Sequence, residues 1–185
     1  MKKFLAVIVA MAGVIVLAST AKAALTGSVV LSVTPTGTKS ILLDKAAMNL
    51  GSVAYGLTGI SGSSVTVTND GPIPETFGLR ITAEAGDWAN QPGSATLAVD
   101  QYNLRALFNG VTVPVKTDFG AAVTTNDVRT GAVVLAAVGG AYAGTENGVG
   151  VIPAAHRGLW FRMDLPPTTA HVPAVQNVTV EVSAN

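Results

Sequence analysis

The chain has 185 residues, no cysteine, only 12% charged side chains, and equal numbers of basic and acidic residues at 11 each. This composition excludes a disulfide-stapled miniprotein, and the lack of a basic surplus argues against a nucleic-acid partner. Aromatic residues, at 5%, are too few for a broad sugar-stacking platform, whereas the Val- and Thr-rich composition suits extended backbone because branched Cβ atoms pack well on a pleated surface.

Met1 to Ala23 reads as a secretory signal peptide. Lys2 and Lys3 form a basic n-region, Phe4 to Ala18 is an unbroken apolar run, and Ala21-Lys22-Ala23 offers small residues at both positions that signal peptidase reads. The run falls short of the roughly 20 apolar residues of a membrane span and ends in Ser19, Thr20 and Lys22. With no Cys for lipid attachment and no Glu near the start of the run, a lipoprotein signal or pilin-type leader is not indicated. Cleavage after Ala23 leaves one mature domain over 24–185, 162 of the 185 residues, enough to bury about two-thirds of its surface. It also removes three of the eleven basic residues, leaving eight against eleven acidic ones. The expected product is secreted, extracellular or periplasmic, mildly acidic, and without a membrane span after processing.

Along the mature chain the apolar pattern has period 2. Ala24–Thr34 alternates and is set off by Pro35-Thr36-Gly37; Ser28–Thr34, Ser40–Leu43 and Met48–Tyr55 are expected strands. In Ser63–Asn69, Val65 and Val67 oppose Ser64, Thr66 and Thr68, and Asn69-Asp70-Gly71-Pro72 closes the strand with turn chemistry. Phe77, Leu79, Ile81 and Ala83 share a face, as do Tyr102, Leu104, Ala106 and Phe108. Asn109-Gly110 between Leu104–Phe108 and Val111–Val115 predicts a hairpin with a type I′ turn. Val133–Val138, Leu159–Leu165 and Val178–Ser183 complete the set; Gly139-Gly140 interrupts the Ala-rich Ala132–Ala143 and argues against a helix there. Each strand presents one apolar and one wet face, and roughly nine such strands predict an all-β, two-sheet antiparallel sandwich, immunoglobulin-like or jelly-roll-like. Two long linkers, Lys116–Gly131 and Gly139–Gly158, are expected to be functional or mobile.

The chemistry-bearing residues are dispersed. His156 and His171 lack the spacing of a zinc site. Gly59-Ile60-Ser61-Gly62-Ser63 is one residue short of a nucleophile elbow, and no phosphate loop ends in Lys-Ser/Thr. Glu75, Glu84, Asp87, Asp100, Asp118, Asp127 and Asp164 are scattered, and solvated charge is their default reading. Asp118 and Asp127, bracketing a loop with Asn126, are a weak candidate for calcium; no other cofactor and no catalytic set is indicated. Trp160 falls on the strand face that carries Arg162 and Asp164. Exposed there, it could stack a sugar or anchor a neighbouring subunit together with Arg162 and Tyr142; the alternative is that the Gly139–Gly158 loop covers it. Trp88 is expected to plug one end of the sandwich.

The stretches Gly51-Ser52-Val53, Ser64–Gly71 and Glu75–Ile81 resemble immunoglobulin-like modules of bacterial envelope proteins, and Leu159–Met163 with Val178–Val182 is similar to small secreted sandwich proteins. The resemblance spans about a third of the mature chain and implies a strand, a tight turn and a strand. Sandwiches of this kind serve as fibre subunits, adhesins and carbohydrate-binding modules alike. The expectation is therefore a non-enzymatic structural or interaction protein, with its β-prone N-terminus a candidate for self-assembly and a glycan- or ligand-binding module as the alternative.

Overall fold

A computed structural model describes residues 37–84, 86–94, 96–120, 126–172 and 175–185. The expected signal peptide, with Ala21 and Ala23, and the expected strand Ser28–Thr34 lie outside the described residues. Nine strands are present among the described residues: β1 Ile41–Leu43, β2 Thr58–Ile60, β3 Val65–Asn69, β4 Phe77–Glu84, β5 Ala89–Asn90, β6 Gln101–Phe108, β7 Val134–Leu135, β8 His156–Asp164 and β9 Val178–Ala184. A single 3-10 turn spans Lys116–Phe119. No helix among the described residues is long and apolar enough to cross a membrane.

The strands form a two-sheet β-sandwich. One sheet runs β1-β3-β8-β6-β5 with β2 also on β8, and the other runs β7-β4-β9. Every pairing is antiparallel except β5 on β6. The period-2 pattern builds the core: Val65 and Val67 of β3, Phe77, Leu79 and Ile81 of β4, and Tyr102, Leu104, Ala106 and Phe108 of β6 are buried against one another and Leu159 of β8. Phe77 and Phe108 bring the two sheets together with ring centroids 5.8 Å apart. Trp88 joins this cluster, its ring 6.1 Å from that of Tyr55.

β2 and β3 lie one after the other along the same edge of β8. Thr58–Ile60 face Asp164–Arg162, and Val65–Thr68 face Leu159–His156. Between them Ser61–Ser64 bulge out by two residues. The ladder is bridged across the bulge by Ser61, whose N–H donates to the Phe161 carbonyl (2.9 Å) and whose Oγ accepts the Phe161 N–H (3.1 Å). The near-elbow sequence around Ser61 is thus a bulge within a sheet, with Ser61 itself buried and Gly62 and Ser63 exposed.

Several expected elements form differently. Met48–Tyr55 makes no strand; the pairing partner of β8 begins at Thr58. Val133–Val138 yields only the two residues of β7, and Val138 is exposed. The Asn109-Gly110 hairpin is absent: neither residue has positive φ, and Val111, Val113 and Val115 are exposed outside any strand. Asn109 is held by tertiary bonds instead. Its N–H donates to the Gly158 carbonyl (2.8 Å), its Nδ2 to the Thr112 carbonyl (2.9 Å), and its Oδ1 accepts the N–H and hydroxyl of Thr145. The expected wet faces are also not general, because all of β6 after Gln101 is buried on both sides. The chain after β6 turns back over the outer face of the six-stranded sheet and covers it.

Candidate functional site on the outer face of the six-stranded sheet

Register places the outward side chains of β2, β8 and β6 in rows. Thr58, Asp164 and Asn103 stand side by side; next come Ile60, Arg162 and Arg105; then Trp160 and Leu107. One end of this face is apolar and the other polar. Segment 109–120 lies over both.

At the apolar end Leu107, Trp160 and Phe119 form a second small core with Ile60 against it. The Trp160 Nε1–H donates to the carbonyls of Asn109 (3.2 Å) and Gly110 (3.1 Å), so a fully apolar site is avoided for the one polar atom of the indole. Trp160 is 2% exposed and Tyr142 0%, and Arg162 is 5% exposed. These three residues therefore do not form an exposed interaction surface. Trp160 is covered, by segment 109–120 rather than by the Gly139–Gly158 loop. Tyr142 belongs to the main core on the far side of the sheet, where its carbonyl accepts the Phe108 N–H.

At the polar end two arginines and two aspartates share buried space. Arg105 donates from Nε to Asp127 (3.0 Å) and lies 3.9 Å from Asp164. Arg162 donates from Nε and Nη2 to Asp164 at 2.8–3.0 Å, and from Nη1 to the Lys116 carbonyl (3.0 Å). Arg105 Nη1 reaches the Gly120 carbonyl (3.4 Å), and the Thr58 hydroxyl donates to Asp164 (2.5 Å). The two charges of each sign cancel, and the guanidiniums clamp both ends of the 3-10 turn onto the sheet. Asp127 also accepts the Gly93 N–H (2.6 Å).

The other titratable candidates serve local structure. Asp118 caps the 3-10 turn by accepting the Val115 N–H (2.8 Å), while Asp127 belongs to the arginine network; Asn126 Oδ1 accepts the Tyr142 N–H (2.7 Å). Among the described residues no group of three or more His, Asp or Glu is placed to hold a metal ion. His171 stands 3.3 Å from Asp87 and 3.6 Å from Asp100, and His156 opens β8. Glu75 and Asp127, 1% exposed each, are not solvated charges. Glu75 Oε1 accepts the Ser40 N–H (2.7 Å).

Beside the arginine network the covering segment leaves an open cleft of about 590 Å³. Asn103, Arg105, Arg162 and Asp164 line it, with Lys116 and Thr117 of the covering segment on one side and Ser94, Thr96 and Leu97 on another. Of the residues singled out in the sequence, Arg162 and Asp164 both line this cleft. Asn103 was not singled out: its position on the polar side of an alternating strand looks like any solvated Asn, and only the fold buries it. No protein-family model matches the chain, and no curated protein matches it significantly.

Proposed function

We propose that the chain is an exported, non-enzymatic structural or interaction protein of the cell envelope or extracellular space that self-associates by strand addition at β9. The observation that carries this reading is the inequality of the sheet edges among the described residues. β1 has three residues and β5 and β7 have two each, whereas β9 presents seven. The β6 margin is further finished by Asn126–Val128 and Tyr142, which bond to Leu104, Ala106 and Phe108. Short or covered edges resist further pairing; a long uncovered one invites it.

Thr76 and Asn185 exchange both backbone hydrogen bonds at 2.8 and 2.9 Å. Antiparallel alternation then directs Ser183 and Glu181 toward β4, and leaves the N–H and C=O groups of Val180, Val182 and Ala184 facing away from it. Val178, Val180 and Val182 pack on the core yet stay partly exposed, as they would beside a missing neighbour. The apolar-alternating segment Ala24–Thr34 of a second copy has the composition to fill that place. The resemblance to immunoglobulin-like envelope modules and the signal-peptide pattern support the same reading.

Light scattering on the processed chain tests it. Concentration-dependent oligomers are expected, and Val182→Pro, which removes only an outward-facing donor, and Thr179→Lys, which charges the edge, should each shift them to monomer. A monomer at millimolar concentration, or oligomers indifferent to both substitutions, refutes the proposal.

A further inference from the structure

The cleft on the outer face has a floor that is incomplete in one respect. Asn103 is 1% exposed, and neither its Oδ1 nor its Nδ2 has a hydrogen-bond partner. Buried side-chain amides are almost always paired, because desolvating one without replacement bonds is costly. Its neighbours cannot help. Asp164, its cross-strand partner, accepts from Arg162 and Thr58 with Arg105 3.9 Å away, and the donors of Arg162 are all directed at Asp164 and the Lys116 carbonyl. Asn103 thus lines the open cleft with an amide donor and acceptor side by side, unspent and screened from water.

The surroundings restrict what could complete it. The buried charges of the floor are mutually neutralised and Asp164 lies next to Asn103, so an anion gains little beside the amide; Lys116, exposed in the wall, is the lining cation outside this network. No aromatic ring lines the cleft, which disfavours a flat heterocycle. The walls supply the hydroxyls of Thr58, Ser94, Thr96 and Thr117, and the aliphatic side chains of Leu57 and Leu97. Hydroxyls both donate and accept, matching a ligand rich in hydroxyls with small apolar C–H faces. Two adjacent ring hydroxyls present one acceptor and one donor at the spacing of a side-chain amide.

We propose that this cleft is a binding site for a neutral saccharide, held through the Asn103 side-chain amide. The site is independent of β9 and of any self-association, and it involves neither Trp160 nor Tyr142.

The experiment is an NMR titration of the ¹⁵N-labelled processed chain with glucose, galactose, mannose and N-acetylglucosamine, each to tens of millimolar. At least one sugar should move the Asn103 side-chain NH₂ resonances and the backbone amides of Ser94 and Thr117, leaving the Trp160 indole resonance in place. Asn103→Leu should abolish these shifts, at least tenfold in affinity, while the apo variant melts at or above the wild-type temperature; loss of binding with gain of stability is a signature that a structural role for Asn103 does not give. If Asn103→Leu fails to fold, the structural role is upheld and the proposal falls unless the wild-type titration has already shown sugar-dependent Asn103 shifts. Three outcomes overturn it: no sugar moves the Asn103 resonances; N-methylacetamide moves them and the sugars do not, which assigns the cleft to peptide; or the Asn103 amide shows contact with one slowly exchanging water that no sugar displaces.

Discussion

Two ion pairs of similar length in this fold should differ severalfold in worth, and the difference tests whether segment 109–120 truly seals the outer face. Arg105–Asp127 spans 3.0 Å with side chains 3% and 0% exposed, and Arg80–Glu181 spans 2.8 Å with side chains 39% and 37% exposed. The second is screened by water and worth about 0–1 kcal/mol. Truncating Asp127 to Ala leaves a buried guanidinium without its main counter-charge and the Gly93 N–H without its acceptor, at a cost of about 3–5 kcal/mol. For a domain of this size that corresponds to a loss on the order of 10 °C in Tm. Urea unfolding of Asp127→Ala and Glu181→Ala, followed by circular dichroism, should show a large fall in midpoint for the first and a small one for the second, with little change in slope. The double variant Arg105→Met/Asp127→Leu should recover most of the loss, because no unpaired charge is then left buried. If Asp127→Ala costs no more than Glu181→Ala, the network is solvated and the outer face is not sealed.

Two further outcomes follow from buried polar atoms. Trp160→Phe keeps a ring in the second core but removes the N–H donated to the Asn109 and Gly110 carbonyls, and should destabilise by about 1–3 kcal/mol in the same assay; wild-type stability would show that those carbonyls find other partners. Burial, then the neighbouring Glu84 carboxylate, holds the Tyr102 hydroxyl well above the usual tyrosine range, and burial does the same for Tyr142 against the opposing charge of Arg129. The unfolded chain releases these protons from about pH 10 while the folded chain keeps them, so stability should be intact below that pH and fall as pH rises beyond it. In a Tyr55→Phe background, tyrosinate absorbance should appear only together with loss of circular dichroism; a tyrosinate signal from the folded protein contradicts the burial of both hydroxyls.

Much of the sandwich is legible in the chain because a strand's core face repeats every second residue, a purely local signal. Val65–Asn69, Phe77–Glu84, Gln101–Phe108, His156–Asp164 and Val178–Ala184 all lie where alternation puts them, within a residue or three. Alternation specifies which residues share a face, and is silent on what covers the second face. Asn103, Arg105 and Trp160 read as a wet side, yet they are buried because segment 109–120, which belongs to neither strand, folds back over them. The same distant packing overrides the strongest local turn signal, since Asn109 makes its bonds with Thr145 and Gly158 instead of turning the chain into a hairpin. The sequence by itself determined the strands and the inner core, whose logic is short-range and periodic. The arginine clamp, the cleft at Asn103 and the place of β9 at the end of its sheet among the described residues were decided only by tertiary structure, because each depends on which strands become neighbours.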